Sequence, residues 1–316
     1  MRIASLLPSS TEILFALGLG DSVVGITHEC DFPPEVRFKR VVVRSRLPRT
    51  SDPAEIDRLV RECTDRGESI YRVDAEALRE LDPDLIVTQD LCHVCAASPD
   101  DLAGALAILQ RKPKVLSLNP HTLADVWDNV FTIGAATGHE VQARDLVHEC
   151  KTKVEDVARA VAKASATLTP PRVLCLEWLD PPFNAGHWVP EMVALAGGED
   201  VLGIEGKPSR SISWEEIAAA EPEIILICPC GYDLAKARDE LGRMKFPDAW
   251  KKLPAVLQGK VFFSDANAYF SRPGTRLAEG VAVLAAAINP HAVIPHVPPG
   301  SLVRCEQTSA ASARPN

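Results

Sequence analysis

The sequence contains no run of about 18 uncharged apolar residues, the length that a membrane-spanning helix requires. A helix inserted into a membrane is therefore excluded. The sequence also lacks the phosphate-binding loop, the GxGxxG dinucleotide motif, the GxSxG hydrolase motif and the HExxH zinc-peptidase motif. Without a motif for nucleotide or hydrolytic chemistry, we expect a protein that is not an enzyme.

Positive charge is outnumbered by negative charge. The 316 residues include 34 Lys and Arg against 43 Asp and Glu, a net charge of −9. A surface of this sign repels the phosphates of nucleic acids, so we expect no nucleic-acid partner. Hydrophobic residues make up 46% of the chain, which is enough for the core of one large domain or of two smaller ones.

The amino-terminal residues show no export signal. Residues 1–7 read as a strand and lack the apolar core and the cleavage site of a signal peptide. The sequence as it stands predicts a cytoplasmic protein. A periplasmic or extracellular location is expected only if a signal peptide lies upstream of Met1. In a reducing compartment, the nine cysteines favour metal or redox roles over disulfides.

Two halves of the sequence repeat one another. Four segments of the first half have counterparts in the second half, in the same order. The matched pairs are 2–3 with 172–173, 15–26 with 193–204, 83–87 with 222–226, and 114–117 with 260–263. Four matches in the same order predict two lobes of similar topology.

Each half alternates short apolar strands with amphipathic helices, a pattern typical of parallel sheets covered by helices. The stretch 139–166 has neither glycine nor proline and predicts one long helix. We therefore predict an α/β fold with two lobes, each a mostly parallel β-sheet flanked by helices, joined by one long rigid α-helix. The predicted domains are an N-terminal lobe at 1–120, a helical connector at 121–168, a C-terminal lobe at 169–288 and an irregular tail at 289–316.

Candidate ligand-binding residues follow the predicted strands, because ligands of open parallel sheets bind beyond the carboxyl ends of the strands. Several of the few aromatic side chains lie there, together with histidines, thiols and acids. The candidates are His28, Glu29, Cys30, Gln89, Asp90, Cys92, His93, Trp178, Phe183, Trp188, Tyr269, Phe270 and Arg272. This set suits a large, flat or metal-bearing small molecule held in the cleft between the lobes.

Several residues at the same strand ends are histidines and cysteines, residue types that can act as metal ligands. The metal-ligand candidates are His28, Cys30, Cys92, His93, Cys95, Cys228 and Cys230. A metal ion, a metal cluster or a thiol-redox function of a cytosolic protein is therefore the alternative to ligand binding. A single CxxC supplies only half of a four-thiolate zinc site, so a structural role for these residues stays open.

Two further groups of residues have plain structural interpretations. Four cysteines are expected to pack in the core or to lie in the tail: Cys63, Cys150, Cys175 and Cys305. A basic run between 37 and 49 is expected to be a solvated face, and contact with an anionic group of a ligand is the alternative.

Several segments resemble the class III periplasmic binding proteins, and most closely the cobalamin-binding components of ABC importers. The segments are 2–13, 24–26, 31–34, 81–86 and 180–186. The resemblance covers about residues 2–288. It implies two α/β lobes joined by one long helix, and non-covalent binding of cobalamin or another corrinoid between the lobes.

The resemblance also implies docking to an ABC permease through one surface glutamate on each lobe. Glu76 and Glu215 occupy these positions. Their separation, 215 − 76 = 139, equals that of Pro83 and Pro222, 222 − 83 = 139, so the two glutamates are equivalent in the repeat. The alternative is that each acid merely stabilises the first turn of a helix.

The chain departs from the cobalamin binders at the ligand site. Where those proteins place aromatic side chains against the ligand, this chain has Glu29 and Gln89. Phe183 matches the family pattern, and the segment 269–272 matches it approximately. The histidines and cysteines of the strand ends are not part of that pattern.

Overall fold

The fold is described from a computed structural model, which covers residues 1–48, 50, 52–89, 99–107, 109, 111–164 and 169–305. The chain divides into two compact units. Unit 1 comprises Met1–Pro120 and Ala124–His148, and unit 2 comprises His121–Leu123 and Glu149–Asn316. No helix within the described ranges combines the length and the apolar composition needed to cross a membrane.

Unit 1 contains one six-stranded sheet with helices between its strands. Its strands are β1 (Ile3–Ser5), β2 (Val23–Thr27), β3 (Arg40–Ser45), β4 (Tyr71–Val73), β5 (Leu85–Thr88) and β6 (Lys114–Ser117). Its helices are α1 (Pro8–Ala16), α2 (Pro53–Asp65), α3 (Ala75–Leu81), α4 (Pro99–Ala107) and α5 (Leu123–Thr137). The strand order is β4-β3-β2-β1-β5-β6, and only the β3–β4 pair is antiparallel.

The sheet of unit 2 follows the long helix α6 (Glu140–Ala164). Its strands are β7 (Arg172–Leu179), β8 (Pro182–Asn184), β9 (Glu199–Asp200), β10 (Ile224–Ile227), β11 (Val261–Ser264) and β12 (Leu302–Arg304). Its helices are α7 (Val189–Leu195), α8 (Trp214–Ala220), α9 (Leu234–Arg243), α10 (Pro254–Leu257), α11 (Ala266–Tyr269) and α12 (Leu277–Ile288). The order is β12-β11-β10-β7-β8, and β9 also pairs with β7.

The repeat predicted from the sequence is present in the two sheets. Four parallel strands of unit 1, β2-β1-β5-β6, have the same order as β9-β7-β10-β11 of unit 2. The two sheets differ in their additional strands. The strands β3 and β4 extend the first sheet, whereas β8 and β12 pair antiparallel with strands of the second sheet. The predicted fold class, two α/β lobes with mostly parallel sheets, is confirmed.

Matching arginines fasten the first strand of each sheet. The Arg2 Nε donates to the Leu81 carbonyl at 2.7 Å, and the Arg172 Nε donates to the Ala220 carbonyl at 3.0 Å. Each arginine backbone N–H also donates to an acid that precedes the neighbouring strand. These contacts satisfy carbonyls that the ends of α3 and α8 leave unpaired, so they fix both helices against their sheets.

Local sequence explains where α1 ends. The Leu19 N–H donates to the Leu14 carbonyl, and the Gly18 N–H donates to the Phe15 carbonyl. This pair of bonds is a Schellman motif, which needs a residue with positive φ. Gly18 has a φ of +80°, a conformation that glycine adopts without steric cost.

The helix α6 has 25 residues and is about 38 Å long at 1.5 Å per residue. One face of it is buried along its whole length, from Ala143 through Val147 and Cys150 to Val157 and Val161. Intervals of three, four and seven residues place these side chains on one face, as in an amphipathic helix. The helix belongs to unit 1 up to His148 and to unit 2 from Glu149.

The tail at 289–316 was predicted to be irregular, and this is wrong for Leu302–Arg304. These residues form β12, which pairs antiparallel with β11. The Ser264 hydroxyl donates to the Ser301 carbonyl at 2.7 Å and fixes the start of the strand. The prolines that precede the strand masked its signal in the sequence, because proline is rare inside strands.

Candidate functional site

In unit 1, residues that follow β2 are held by the two added strands. The His28 Nδ1 lies 3.2 Å from the Val43 carbonyl oxygen of β3. The Tyr71 hydroxyl on β4 donates to the Glu29 carboxylate at 3.1 Å. The side chains of His28 and Glu29 keep exposed fractions of 30% and 42%. Both groups are therefore positioned by the sheet and accessible at its carboxyl edge.

Cys30 joins a network of hydroxyl groups at the start of α1. Its Sγ lies 3.1 Å from the Thr11 hydroxyl, which donates to the Ser5 hydroxyl at 2.7 Å. The Ser5 and Ser10 hydroxyl oxygens are 2.6 Å apart. These hydroxyls are buried, whereas Cys30 is half-buried. The thiol is thus the outermost group of a polar network at the carboxyl end of β1.

The remaining unit 1 candidates follow β5. Gln89 is half-buried directly after the strand. Asp90, Cys92, His93 and Cys95 lie outside the described residues. The roles predicted for them stay predictions.

In unit 2, two candidate aromatic side chains share one face of the β7–β8 hairpin. Trp178 and Phe183 are directly opposite each other in the register, and paired residues of antiparallel strands point to the same side. Both are half-buried. The Trp178 ring meets the Tyr232 ring edge-on, with centroids 5.5 Å apart, and its Nε1 donates to the Asp180 carbonyl at 3.1 Å. This aromatic face is anchored and still partly open.

Tyr269 ends the short helix α11 and is half-buried. Burial raises the pKa of its phenol above the ordinary value. The hydroxyl therefore stays protonated at neutral pH and can act as a hydrogen-bond donor.

Two of the predicted ligand contacts are interior residues. Trp188 and Phe270 have exposed fractions of only 5% and 2%, and the Trp188 Nε1 donates to the Phe270 carbonyl at 2.8 Å. Their prediction as ligand contacts is wrong, because their side chains are used to close the core of unit 2. Arg272 is also largely covered, with 9% of its surface exposed.

Cys228 directly follows β10 and is buried, and this burial raises the pKa of its thiol well above the ordinary value. A protonated thiol is a poor nucleophile. The metal-ligand role predicted for Cys228 stays a prediction. Cys175 on β7 has the same environment, and its thiol pKa is raised for the same reason.

Among the described residues, no three His, Cys, Asp or Glu side chains form a group that could hold a metal ion. His28 and Cys30 lie in unit 1 and exposed Cys230 lies in unit 2. The four cysteines expected to pack or to lie in the tail are all buried: Cys63, Cys150, Cys175 and Cys305.

Glu76 and Glu215 stand at the same place in equivalent helices. Each is the second residue of its helix, α3 or α8. The helices are capped alike, by the Asp74 side chain and by the Ser213 side chain. Both glutamates are exposed, and within the described part of the chain no ion pair engages either carboxylate. The geometry places two equivalent acids on the surface, and the docking role stays a prediction.

Sequence reasoning missed two residues that support the site. Tyr71 positions Glu29 from β4, a strand that the sequence analysis did not predict. Tyr232 supports Trp178 from the turn after β10. Neither has a local signal, because each acts through a contact with a residue 42 or 54 positions away (71 − 29 and 232 − 178).

The model of the periplasmic binding protein family matches residues 3–268. This chain belongs to that family. The resemblance noted in the sequence is confirmed.

Curated relatives span nearly the full chain. An ABC transporter substrate-binding lipoprotein of Bacillus subtilis is 29% identical over 301 residues, covering 92% of this chain and 80% of the relative. A vitamin B12-binding protein of Vibrio cholerae is 23% identical over 284 residues, covering 89% of this chain and 86% of the relative.

Solved structures show the same two-lobed fold. A periplasmic heme-binding protein from Pseudomonas aeruginosa matches with a TM-score of 0.71 at 20% identity, covering 93% of this chain and 94% of that chain. The periplasmic vitamin B12-binding protein of Vibrio cholerae matches with a TM-score of 0.66 at 20% identity, covering 91% and 96%. At these identities the likeness establishes the fold and leaves the ligand open.

The expected cytoplasmic location is wrong. The matched relatives are a substrate-binding lipoprotein and periplasmic binding proteins, which points to a location outside the cytoplasm. The prediction rested on the absence of an export signal after Met1, and the family membership overrides it.

Proposed function

We propose that this protein is the extracytoplasmic substrate-binding component of an ABC importer and that it binds cobalamin or a related corrinoid without catalysis. The observation that carries the proposal is the match to vitamin B12-binding relatives over 89% of the chain. It is supported by a family membership that covers residues 3–268.

The open aromatic face of unit 2 supports a flat ligand. Trp178 and Phe183 share one side of the β7–β8 hairpin, and aromatic rings bury a large apolar area with few rotamers to freeze. Tyr269 adds a protonated phenol at the end of α11, the helix that follows β11. We propose that this face contacts the corrin ring, and that Tyr269 donates to a peripheral amide of the ligand.

The polar edge of unit 1 supports contacts to the same kind of ligand. The Glu29 carboxylate accepts from Tyr71 and keeps capacity for another donor, because a carboxylate accepts about four hydrogen bonds. Gln89 offers an amide donor and acceptor at the end of β5, which is separated from β2 by β1 in the sheet order. We propose that Glu29 and Gln89 hydrogen-bond the amide side chains of a corrinoid.

Glu76 and Glu215 are the proposed contacts to the permease. They are exposed and occupy matching helix positions, as expected for a protein that presents two similar surfaces to one transporter. Their partners on the permease would be arginine or lysine side chains.

The thiol-redox or metal alternative has less support. Cys228, one of the strand-end thiols, is buried, and this burial raises the pKa of its thiol. No observation on the described residues favours that function over ligand binding.

The test is the retention of coloured ligands. Protein is incubated with cyanocobalamin or with hemin, passed through a desalting column, and examined by visible absorbance. We expect cobalamin to co-elute at one equivalent per chain, and Phe183→Ala to abolish co-elution. Leu257→Ala is the control, because Leu257 is 73% exposed and precedes β11, at the edge opposite the strand ends. Retention of hemin with loss of cobalamin in the wash would reject the corrinoid.

A further inference from the structure

Unit 2 contains a pair of histidines that the proposed ligand site does not use. His187 follows β8, and His121 lies in the segment His121–Leu123, which belongs to unit 2 although it precedes α5. The centroids of the two imidazole rings are 5.8 Å apart, and the rings are inclined by 36°.

The backbone on both sides of the pair is anchored. The His187 N–H donates to the Lys207 carbonyl at 2.6 Å, and the His187 carbonyl accepts from the Gly206 N–H at 2.9 Å. Two residues after His121, the Leu123 N–H donates to the Glu191 carboxylate at 2.9 Å. His187 is held at a φ of +54°, which is uncommon for a residue other than glycine. The backbone of His187 is therefore held on both sides, and the chain next to His121 is bonded to Glu191 of unit 2.

The ring separation matches that of two imidazoles on one metal ion. A metal–nitrogen bond of about 2.1 Å places the ion roughly 3 Å from each ring centroid. Two such ligands at angles between tetrahedral and linear then have centroids about 5 to 6 Å apart. The observed 5.8 Å lies in this range.

The protonation state of His187 also favours a metal. Burial, together with the neighbouring His121, lowers the pKa of His187 below its ordinary value of 6.5. At neutral pH the imidazole is uncharged and its nitrogen lone pair is available, as metal binding requires.

We propose that His121 and His187 form a two-nitrogen site for a divalent transition-metal ion such as Ni²⁺, Cu²⁺ or Zn²⁺. Imidazole is a preferred ligand of these ions. Water molecules complete the coordination. The ion ties the segment His121–Leu123 to the loop that follows β8, and by binding the folded form it stabilises unit 2. The site is independent of the corrinoid proposal.

The test is a calorimetric titration of metal-stripped protein with Ni²⁺ at pH 7.5. The variants are His121→Asn and His187→Asn; asparagine tolerates the positive φ at position 187. The control is His148→Asn, an exposed histidine on α6. To remove other ligands, all four proteins carry Cys92→Ser, His93→Asn and Cys95→Ser. We expect the control to bind as the parent does, and each test variant to bind at least tenfold more weakly.

Unchanged Ni²⁺ binding in both test variants would overturn the proposal, as would an equal loss in the control. A second measurement covers a variant that fails to fold. Nitrogen-detected spectra of histidine side chains, recorded on the wild-type protein with Zn²⁺, should show shifts at two imidazoles. Spectra in which the His121 and His187 nitrogens do not move would reject the site.

Discussion

The two units share a scaffold and differ at the carboxyl edges of their sheets. The shared part includes four strands in the same order and the matching bonds of Arg2 and Arg172 to helix-end carbonyls. The edge of unit 1 presents polar groups, with Glu29 held by Tyr71. The edge of unit 2 presents the paired Trp178 and Phe183. The repeated strands form the common scaffold of the two units. The side chains at the strand ends give each unit its own chemical character.

This division indicates which contacts should carry affinity. Apolar rings that leave water contribute more binding free energy than polar groups, which must give up their own hydration. We therefore expect the aromatic edge of unit 2 to dominate the affinity for a corrinoid, and the polar edge of unit 1 to select among ligands.

The largest effect is expected for Phe183→Ala. Loss of this ring should weaken cobalamin binding by about 2 kcal/mol, or roughly 30-fold, as truncation of a central aromatic contact does. Gln89→Ala in unit 1 should weaken it by no more than about threefold. Titration of both variants by calorimetry measures the ratio. A larger loss for Gln89→Ala would reverse the proposed division of roles.

The second effect concerns the matching arginines. Arg172 is half-buried and donates twice to the Ala220 carbonyl, whereas Arg2 is exposed. Arg172→Ala should lower the free energy of unfolding by about 1.5 kcal/mol, and Arg2→Ala by about 0.5 kcal/mol. Urea unfolding gives both values, with exposed Arg238→Ala as the control. Equal losses would show that the two bonds contribute alike despite their different burial.

A third difference lies where unit 2 has Asp200 and unit 1 has Ser22 at the matching position of the repeat. The Asp200 carboxyl is largely buried, one of its oxygens has no hydrogen-bond partner among the described residues, and burial raises its pKa from 3.8 to about 6. The folded state therefore holds the proton more tightly than the unfolded state. Stability falls as pH rises from about 4 to about 6 and is constant above that range.

Between pH 5 and pH 7.5, the raised pKa of Asp200 should lower the free energy of unfolding by about 1.4 kcal/mol. This is the free energy that corresponds to one pKa unit. Asp200→Asn should remove that part of the pH dependence and stabilise the protein more at pH 7.5 than at pH 5. Urea unfolding at the two pH values measures the difference, with Asp248→Asn as the exposed control. An identical pH dependence in wild type and Asp200→Asn would contradict the assignment.

The smallest effect is expected for Tyr71→Phe. This change removes the hydrogen bond to Glu29 and keeps the ring, so the free energy of unfolding should fall by about 0.5 to 1 kcal/mol. Cobalamin affinity should fall about twofold, because Glu29 is no longer held in one position. Calorimetry and urea unfolding measure the two quantities. A gain in affinity would mean that the bond competes with the ligand for Glu29.

The regular parts of the fold could be read from the sequence. Apolar periodicity, together with helix- or strand-breaking residues at the ends, predicts the helices α2 and α6 and the strands β5 and β6. The strand β3 could not be read in this way. Its outer residues Arg40 and Arg44 made it part of a basic run, although Val42 and Val43 are buried.

The site was harder to predict than the fold. Position after a strand places a residue near the carboxyl edge but does not say where its side chain points. Trp178 and Trp188 both follow that rule in the sequence, yet one is half-buried and the other is in the core. Contacts such as Tyr71 to Glu29 depend on strand pairing across 42 residues, which no local pattern encodes.

A calorimetric titration of the wild-type protein with cyanocobalamin tests the central claim most directly. The proposed function requires saturable binding of one cobalamin per chain with a dissociation constant in the micromolar range or below. The absence of any heat of binding at micromolar protein, with the ligand in excess, would contradict it.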